Sequence, residues 1–316
     1  MKITFGLFAV LLTLSFTAAA QTPKTGEDYN NRGLERQAKG DIAGAIEDFT
    51  TAIARGGRPQ ALTAFYFNRA NARLAKEDWD GAIADYSKSI EFDPKNPDGY
   101  YMRAVAFLNK SDYDDAIADF SKAIEIEPRS PLAYNNRGTA RIAKNEIDGA
   151  IADYTSALEL NPKYAEAFYN RGAALQQKKD FDGAIRDYNS ALVLAPKFAE
   201  AYVNRGQAKQ SKQDFDGAIA DYDAALQLKA EEGTFFARAT ARESKKDLEG
   251  ALADYDKVIE LNPNLAQGYA NRGAIEAMLS RTSAAQQDFE KAFKIDPNLR
   301  AQYKEFIEKR HLKIGP

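Results

Sequence analysis

From Phe215 the apolar and small residues fall at Phe215, Ala218, Ile219, Tyr222, Ala225 and Leu226, at offsets of 0, 3, 4, 7, 10 and 11. Those offsets lie on one face of an α-helix. Asp214 stands just before the run, where its carboxylate can accept from a backbone N–H left unpaired at a helix start. Asp41, Asp78, Asp112, Asp180 and Asp247 hold the same place in other copies, and Glu146 holds it in one. A second helix is predicted from about Glu200 to Lys212. Pairs such as Asp93-Pro94, Asn161-Pro162 and Asn262-Pro263 stop the helices. Proline lacks the N–H and pushes its predecessor out of the α region. Each unit is a predicted helical hairpin.

The hairpin recurs in strict register. An Arg column runs Arg32, Arg69, Arg103, Arg137, Arg171, Arg205, Arg238, Arg272, in steps of 37, 34, 34, 34, 34, 33 and 34 residues. An Asp column follows sixteen residues after each: Asp48, Asp85, Asp119, Asp153, Asp187, Asp221, Asp254, Asp288. The long step carries a Gly/Pro loop, Arg55 to Gln60, and the short one, Lys229 to Gly233, lacks the usual proline. Residues equidistant from the turn of an antiparallel hairpin lie level, and Gln213 is the midpoint between Arg205 and Asp221. The spacing therefore predicts structural ion pairs, among them Arg137 with Asp153, Arg171 with Asp187 and Arg205 with Asp221. A planar guanidinium can hold a carboxylate with two hydrogen bonds. A further basic column, Arg36, Arg73, Arg141, Lys209 and Arg242, is expected to pair with acids of the second helices. A glycine recurs early in second helices (Gly44, Gly81, Gly149, Gly183, Gly217, Gly250), and the sequence offers no physical reason for it.

These columns resemble the tetratricopeptide repeat family over residues 26 to 297. The resemblance rests on the period, on an aromatic four residues before the small residue of the first helix (Tyr202 before Gly206), and on an Ala followed four later by an aromatic in the second (Ala218, Tyr222). It implies an all-α fold, a right-handed solenoid of eight hairpins closed by a C-terminal helix. The implied repeats are 26–59, 63–96, 97–130, 131–164, 165–198, 199–231, 232–265 and 266–299, with a capping helix and tail at 298–316. Stacked repeats bury an apolar face that none can bury alone, and an open end needs a polar-backed helix. The eighth repeat departs from the pattern, with Arg281-Thr282-Ser283 replacing the cap and aromatic.

The first residues differ from all this. Met1-Lys2 is a basic start, Ile3 to Phe16 is uncharged and apolar, and Thr17-Ala18-Ala19-Ala20 supplies small residues. That layout predicts a cleaved signal peptide, 1–20, followed by a short linker, 21–25, and export to the periplasm. The chain has no Cys, so a lipid anchor at a cleavage-site cysteine is not expected. Without Lys2 the mature chain carries 42 basic and 46 acidic residues, a net charge of −4. A mildly acidic surface gives no reason to expect nucleic acid as a partner, and no stable membrane insertion is expected.

The pattern leaves little room for catalysis. The one histidine, His311, sits in the predicted capping helix. Neither a phosphate-cradling loop nor a dinucleotide glycine cluster is present. No enzyme activity, metal or cofactor is expected. What remains is the surface of the first helices, which lines the concave groove in proteins of this resemblance. Asn31, Asn68, Asn136, Asn170, Asn204 and Asn271 form a ladder there, beside the aromatics Phe67, Tyr101, Tyr169 and Phe236. An amide offers donor and acceptor together and can grip a peptide backbone. The sugar transferases that modify Ser and Thr carry a similar Asn ladder against an extended peptide. That likeness covers the ladder alone, because their catalytic domain is missing here. The expectation is a non-enzymatic scaffold binding an extended, uncharged or apolar protein segment. A self-assembling homo-oligomeric solenoid and a glycan-binding subunit of an envelope enzyme are the alternatives.

Overall fold

The computed structural model describes residues 23–315, and every regular element among them is an α-helix. The expected signal peptide lies outside the described residues. The chain divides into two compact units at Ala106/Phe107. The first holds the hairpins α1 (Gly26–Ala38) with α2 (Ile42–Arg55) and α3 (Pro59–Ala75) with α4 (Trp79–Phe92). Helix α5 (Pro97–Lys110) contains the division. In the second unit follow α6 (Tyr113–Ile126), then α7 (Pro131–Ala143) with α8 (Ile147–Leu160), and α9 (Ala165–Gln177) with α10 (Phe181–Leu194). Next come α11 (Ala199–Ser211) with α12 (Phe215–Leu228) and α13 (Glu232–Ser244) with α14 (Leu248–Leu261). The last hairpin is α15 (Ala266–Met278) with α16 (Thr282–Ile295), and α17 (Leu299–Lys309) closes the chain. The chain is a solenoid of helical hairpins, with the turns and stops where the periodicity puts them.

One boundary differs from expectation. The loop is only Gly56, Gly57 and Arg58, and Pro59 opens α3. Proline suits the first helical position, where its missing N–H would have no partner anyway. The extra residues of the long step thus lengthen α3 by a turn instead of making a loop.

The caps explain the recurring glycine. Asp41, Asp78, Asp180, Asp214 and Asp247 each accept, through Oδ1, the N–H of the glycine three residues on, at 2.9–3.0 Å. Their second oxygen, Oδ2, then occupies the place of a side chain: a Cβ on Gly217 would lie 2.2 Å from Asp214 Oδ2. Asp112, with Asp115 at the glycine place, makes no such bond, and neither does Glu146, contrary to the expectation for these two. The turn before each cap is also regular. Glu77, Ser111, Asn145, Lys179, Gln213, Lys246 and Ser280 all take the left-handed conformation, φ 60–69°. There the N–H three residues past the last helical residue reaches back to close the helix, as Asp214 N–H does to the Lys209 carbonyl.

The core is built from rings of the second helices standing on small residues of the first. Tyr222 is fully buried, and its ring lies 2.7 Å from where a Cβ on Gly206 would be, so the two backbones approach only because Gly206 has none. Phe49 in the first unit and Tyr188, Tyr255 and Phe289 in the second are equally enclosed. Helix α17 packs Leu299, Tyr303, Phe306 and Ile307 onto Phe289, Phe293, Ala270 and Ala274. Its other side, with Gln302, Lys304, Glu305, Glu308 and Lys309, is exposed.

Candidate interaction face

The charges adjoining the core come together as the sixteen-residue spacing predicts. In seven of the pairs the guanidinium grips its carboxylate with two hydrogen bonds. Arg137 Nε and Nη2 donate to Asp153 at 3.0 and 2.6 Å, Arg171 to Asp187 at 2.7 and 2.8 Å, and Arg205 to Asp221 at 2.9 and 2.5 Å. Arg32–Asp48, Arg69–Asp85, Arg238–Asp254 and Arg272–Asp288 repeat the geometry. The carboxylates are at most a tenth exposed. Deep burial of a charge is tolerable only when it is paired and hydrogen-bonded in this way.

Two further contacts complete the knot. The second basic column meets the same acids: Arg36 on Asp48, Arg73 on Asp85, Arg141 on Asp153, Lys209 on Asp221 and Arg242 on Asp254. The third guanidinium nitrogen, Nη1, donates to the preceding hairpin: Arg171 to Thr155 at 3.1 Å and Arg205 to Asn189 at 2.6 Å. Arg69 reaches Thr50 and Arg137 reaches Ser121 in the same way. These side chains stand two residues after each Asp of the column and share only an oxygen. The Arg ladder therefore ties these hairpins internally and, within each unit, to the hairpin before them. It is structural.

The face left open is the other side of the first helices. In the second unit α7 approaches α9, α9 approaches α11 and α11 approaches α13, whereas the second helices make no comparable approach to one another. The first helices thus lie on the tighter, inner side of this unit. The residues facing inward are Asn135, Tyr169, Val203 and Phe236 in one row and Asn136, Asn170, Asn204 and Asn271 in the next.

The Asn ladder is engaged within the chain. Asn170 Nδ2 donates to Asn135 Oδ1 at 3.0 Å and Asn204 Nδ2 to the Tyr169 hydroxyl at 3.1 Å, each crossing to the preceding hairpin. In the first unit Asn68 Nδ2 does the same to Asn30 Oδ1 at 2.9 Å. Asn136 accepts from Asn135, and Asn31 is exposed. Asn271 is engaged at both ends of its amide. Its Nδ2 donates to the Tyr255 hydroxyl, and its Oδ1 accepts from Gln267 and from the Tyr303 hydroxyl of α17. The chain's own last helix covers this end of the row.

The aromatics lie half-buried over the tyrosines of the core. Phe67 meets Tyr86 edge-on with centroids 5.5 Å apart, Tyr169 leans on Tyr188 and Phe198, and Phe236 meets Tyr255 edge-on at 5.6 Å. Tyr101 is half-buried too. The core tyrosines point their hydroxyls at this face: Tyr86 donates to Asn71, Tyr188 to Gln176 and Tyr222 to Gln210. Burial raises the phenols of Tyr86, Tyr188, Tyr222 and Tyr255 and takes that of Tyr154 up to about 12, so all five remain protonated donors. Among the described residues no cluster of His, Cys, Asp or Glu is arranged to hold a metal ion, and no helix is long and apolar enough to cross a membrane.

Stacked hairpins locked by an internal ion-pair ladder, with a separate polar and aromatic inner face, define a helical-repeat interaction scaffold. Profiles described as tetratricopeptide repeat or TPR repeat match residues 70–111, 97–130, 138–179, 165–198, 199–232 and 233–265. The chain belongs to the tetratricopeptide repeat family. No curated protein matches it. Among solved structures it is similar to the MamA protein, at 28% identity and TM-score 0.50 over 54% of this chain and 94% of that one. It is also similar to the C-terminal part of a TPR repeat-containing protein from Cytophaga hutchinsonii, at 19% identity and TM-score 0.63 over 77% and 98%. A third is YrrB, described as a TPR protein with an unusual peptide-binding site, at 24% identity and TM-score 0.52 over 64% and 99%.

Proposed function

We propose that this protein is a non-enzymatic scaffold of the cell envelope that holds an extended segment of a partner protein along the inner face of its first helices. The observation that carries the reading is the division of labour between two faces of one helix. The Arg face is saturated by Asp and by the preceding hairpin, while the Asn and aromatic face keeps exposed edges and binds nothing but its neighbours. Half-buried aromatic side chains held rigidly by packing are where binding energy concentrates. Each unit is proposed to bear such a face of its own: Asn31, Phe67, Asn68 and Tyr101 in the first, and Asn136, Tyr169, Asn170, Asn204 and Phe236 in the second. Asn271 is left out because α17 occupies it. The signal-like start of the sequence supports the envelope location, and protein isolated from the periplasm is expected to begin at Gln21.

Affinity capture from envelope extract tests the reading. The mature chain is compared with the variant Asn136→Ala, Tyr169→Ala, Asn170→Ala, Asn204→Ala, checked for helicity by circular dichroism. A protein retained by the native chain and lost by the variant is the expected result. Equal retention by both would move the interaction off this face.

A further inference from the structure

The inner face of residues 131–278 carries open acceptors and carboxylates that have no cation beside them. Asn170 is more than nine-tenths buried, yet its Oδ1 makes no hydrogen bond among the described residues, because the bond to Asn135 uses Nδ2. Asn204 likewise spends Nδ2 on Tyr169 and leaves Oδ1 open. Around them stand three carboxylates on the same face, Glu166 and Glu200 in the first turns of α9 and α11 and Glu243 near the end of α13. None of the three has a cation within ion-pair distance among the described residues, although most acids of this unit do. Lys229, which interacts electrostatically with Glu200, is engaged with Glu231. The inward rows of α7, α9, α11, α13 and α15 contain no Lys or Arg, since Arg141, Lys209 and Arg242 turn away to the buried Asp column.

We propose that the segment held on this face is cationic, an extended chain whose Arg or Lys side chains meet Glu166, Glu200 and Glu243 and donate to the open oxygens of Asn170 and Asn204. The inference rests on the reading of this face given above and names the chemistry of its partner. It departs from the uncharged or apolar segment that the sequence pattern suggests. A guanidinium or ammonium supplies only donors and a positive charge, which the open amide oxygens and the three carboxylates without a cation can accept. The carboxylates are also poised to gain from it. Burial raises the carboxyls of Glu166 and Glu243 above the usual glutamate range, since nothing cationic offsets their desolvation. A bound cation would supply that offset. Glu166 otherwise faces the Tyr154 phenol, Glu200 the Tyr169 phenol and Lys229, and Glu243 the phenols of Tyr255 and Tyr303, and all the phenols are neutral at ordinary pH.

Fluorescence anisotropy with labelled alternating peptides of Arg-Ala, Ser-Ala and Glu-Ala tests the proposal on the mature chain. Arg-Ala is expected to bind about tenfold more tightly than Ser-Ala, with Glu-Ala weakest and the Arg-Ala affinity falling with salt. Glu166→Gln, Glu200→Gln and Glu243→Gln together should abolish that preference. A control with Glu125→Gln, Glu159→Gln and Glu260→Gln on second helices, of the same net charge, should keep it. Acidification should weaken Arg-Ala binding from a higher pH than ordinary glutamates titrate, because the raised carboxyls take up protons first and lose their charge. Equal loss in the two triple variants would reduce the preference to net charge and overturn the proposal. Arg-Ala and Ser-Ala binding equally, both lost on Tyr169→Ala with Asn170→Ala, would overturn the cationic partner and leave the face as the binding site. Binding of no peptide at all would overturn both.

Discussion

Asp187 and Asp221 are buried alike but held differently. Asp221 accepts from Arg205 and from Lys209, whereas Leu175 stands where Lys209 would reach Asp187, so Arg171 is its one cationic partner among the described residues. Removing one member of a buried pair strands the other, at a cost of about 3–5 kcal/mol when nothing replaces it. Arg171→Ala is therefore expected to destabilise more than Arg205→Ala, by on the order of 1–2 kcal/mol in urea unfolding, because Lys209 still neutralises Asp221. Arg171→Ala combined with Asp187→Ala should cost less than the sum of its parts. Equal losses for the two Arg variants, or additive losses for the double variant, would remove the pairing from the account. The pairs themselves were legible, since a level position across a hairpin is arithmetic on a fixed period. The third contact of each Arg was present in the sequence only as a column of Thr, Ser, Asn and Asp two residues after the Asp. Those residues share an oxygen and nothing else, so the column does not stand out until the hairpins are stacked.

At the scale of the helix, Gly217 shows how a local rule can be reversed by a cap. Alanine in a helix is ordinarily better than glycine by roughly 0.5–1 kcal/mol. Here its Cβ would displace Asp214 Oδ2 and with it a cap of about 1 kcal/mol. Gly217→Ala is expected to give no net gain in the native chain but to stabilise the Asp214→Ala variant by the full propensity difference. Chemical unfolding of the four members of this cycle reads the coupling directly, and a gain of the same size in both backgrounds would break the link. Asp112 with Asp115 is the natural counterpart: without the glycine the cap bond is missing. The sequence displayed both columns, but their dependence on each other is a matter of one oxygen's position, which no spacing encodes. The same limit applies to α3, where Pro59 reads as a breaker and instead begins the helix.

For the molecule as a whole, the solenoid was readable because identical units must bury identical faces. The function was not, because what a repeat leaves exposed is unconstrained by folding. The Asn ladder illustrates this. Its spacing marks it as a face, but whether its amides are free depends on Asn135 and Tyr169 of the neighbouring hairpin, and on α17 at the last rung. The central claim is that the first helices of residues 131–278 bear the partner, not their second helices. The most direct measurement places a photo-reactive benzophenone side chain at Gln207 on α11 or at Ala220 on α12, both exposed, and irradiates the protein in envelope extract. The account expects a discrete adduct from Gln207 and none from Ala220. Adducts from Ala220 alone, or the same adduct in equal yield from both, would contradict it.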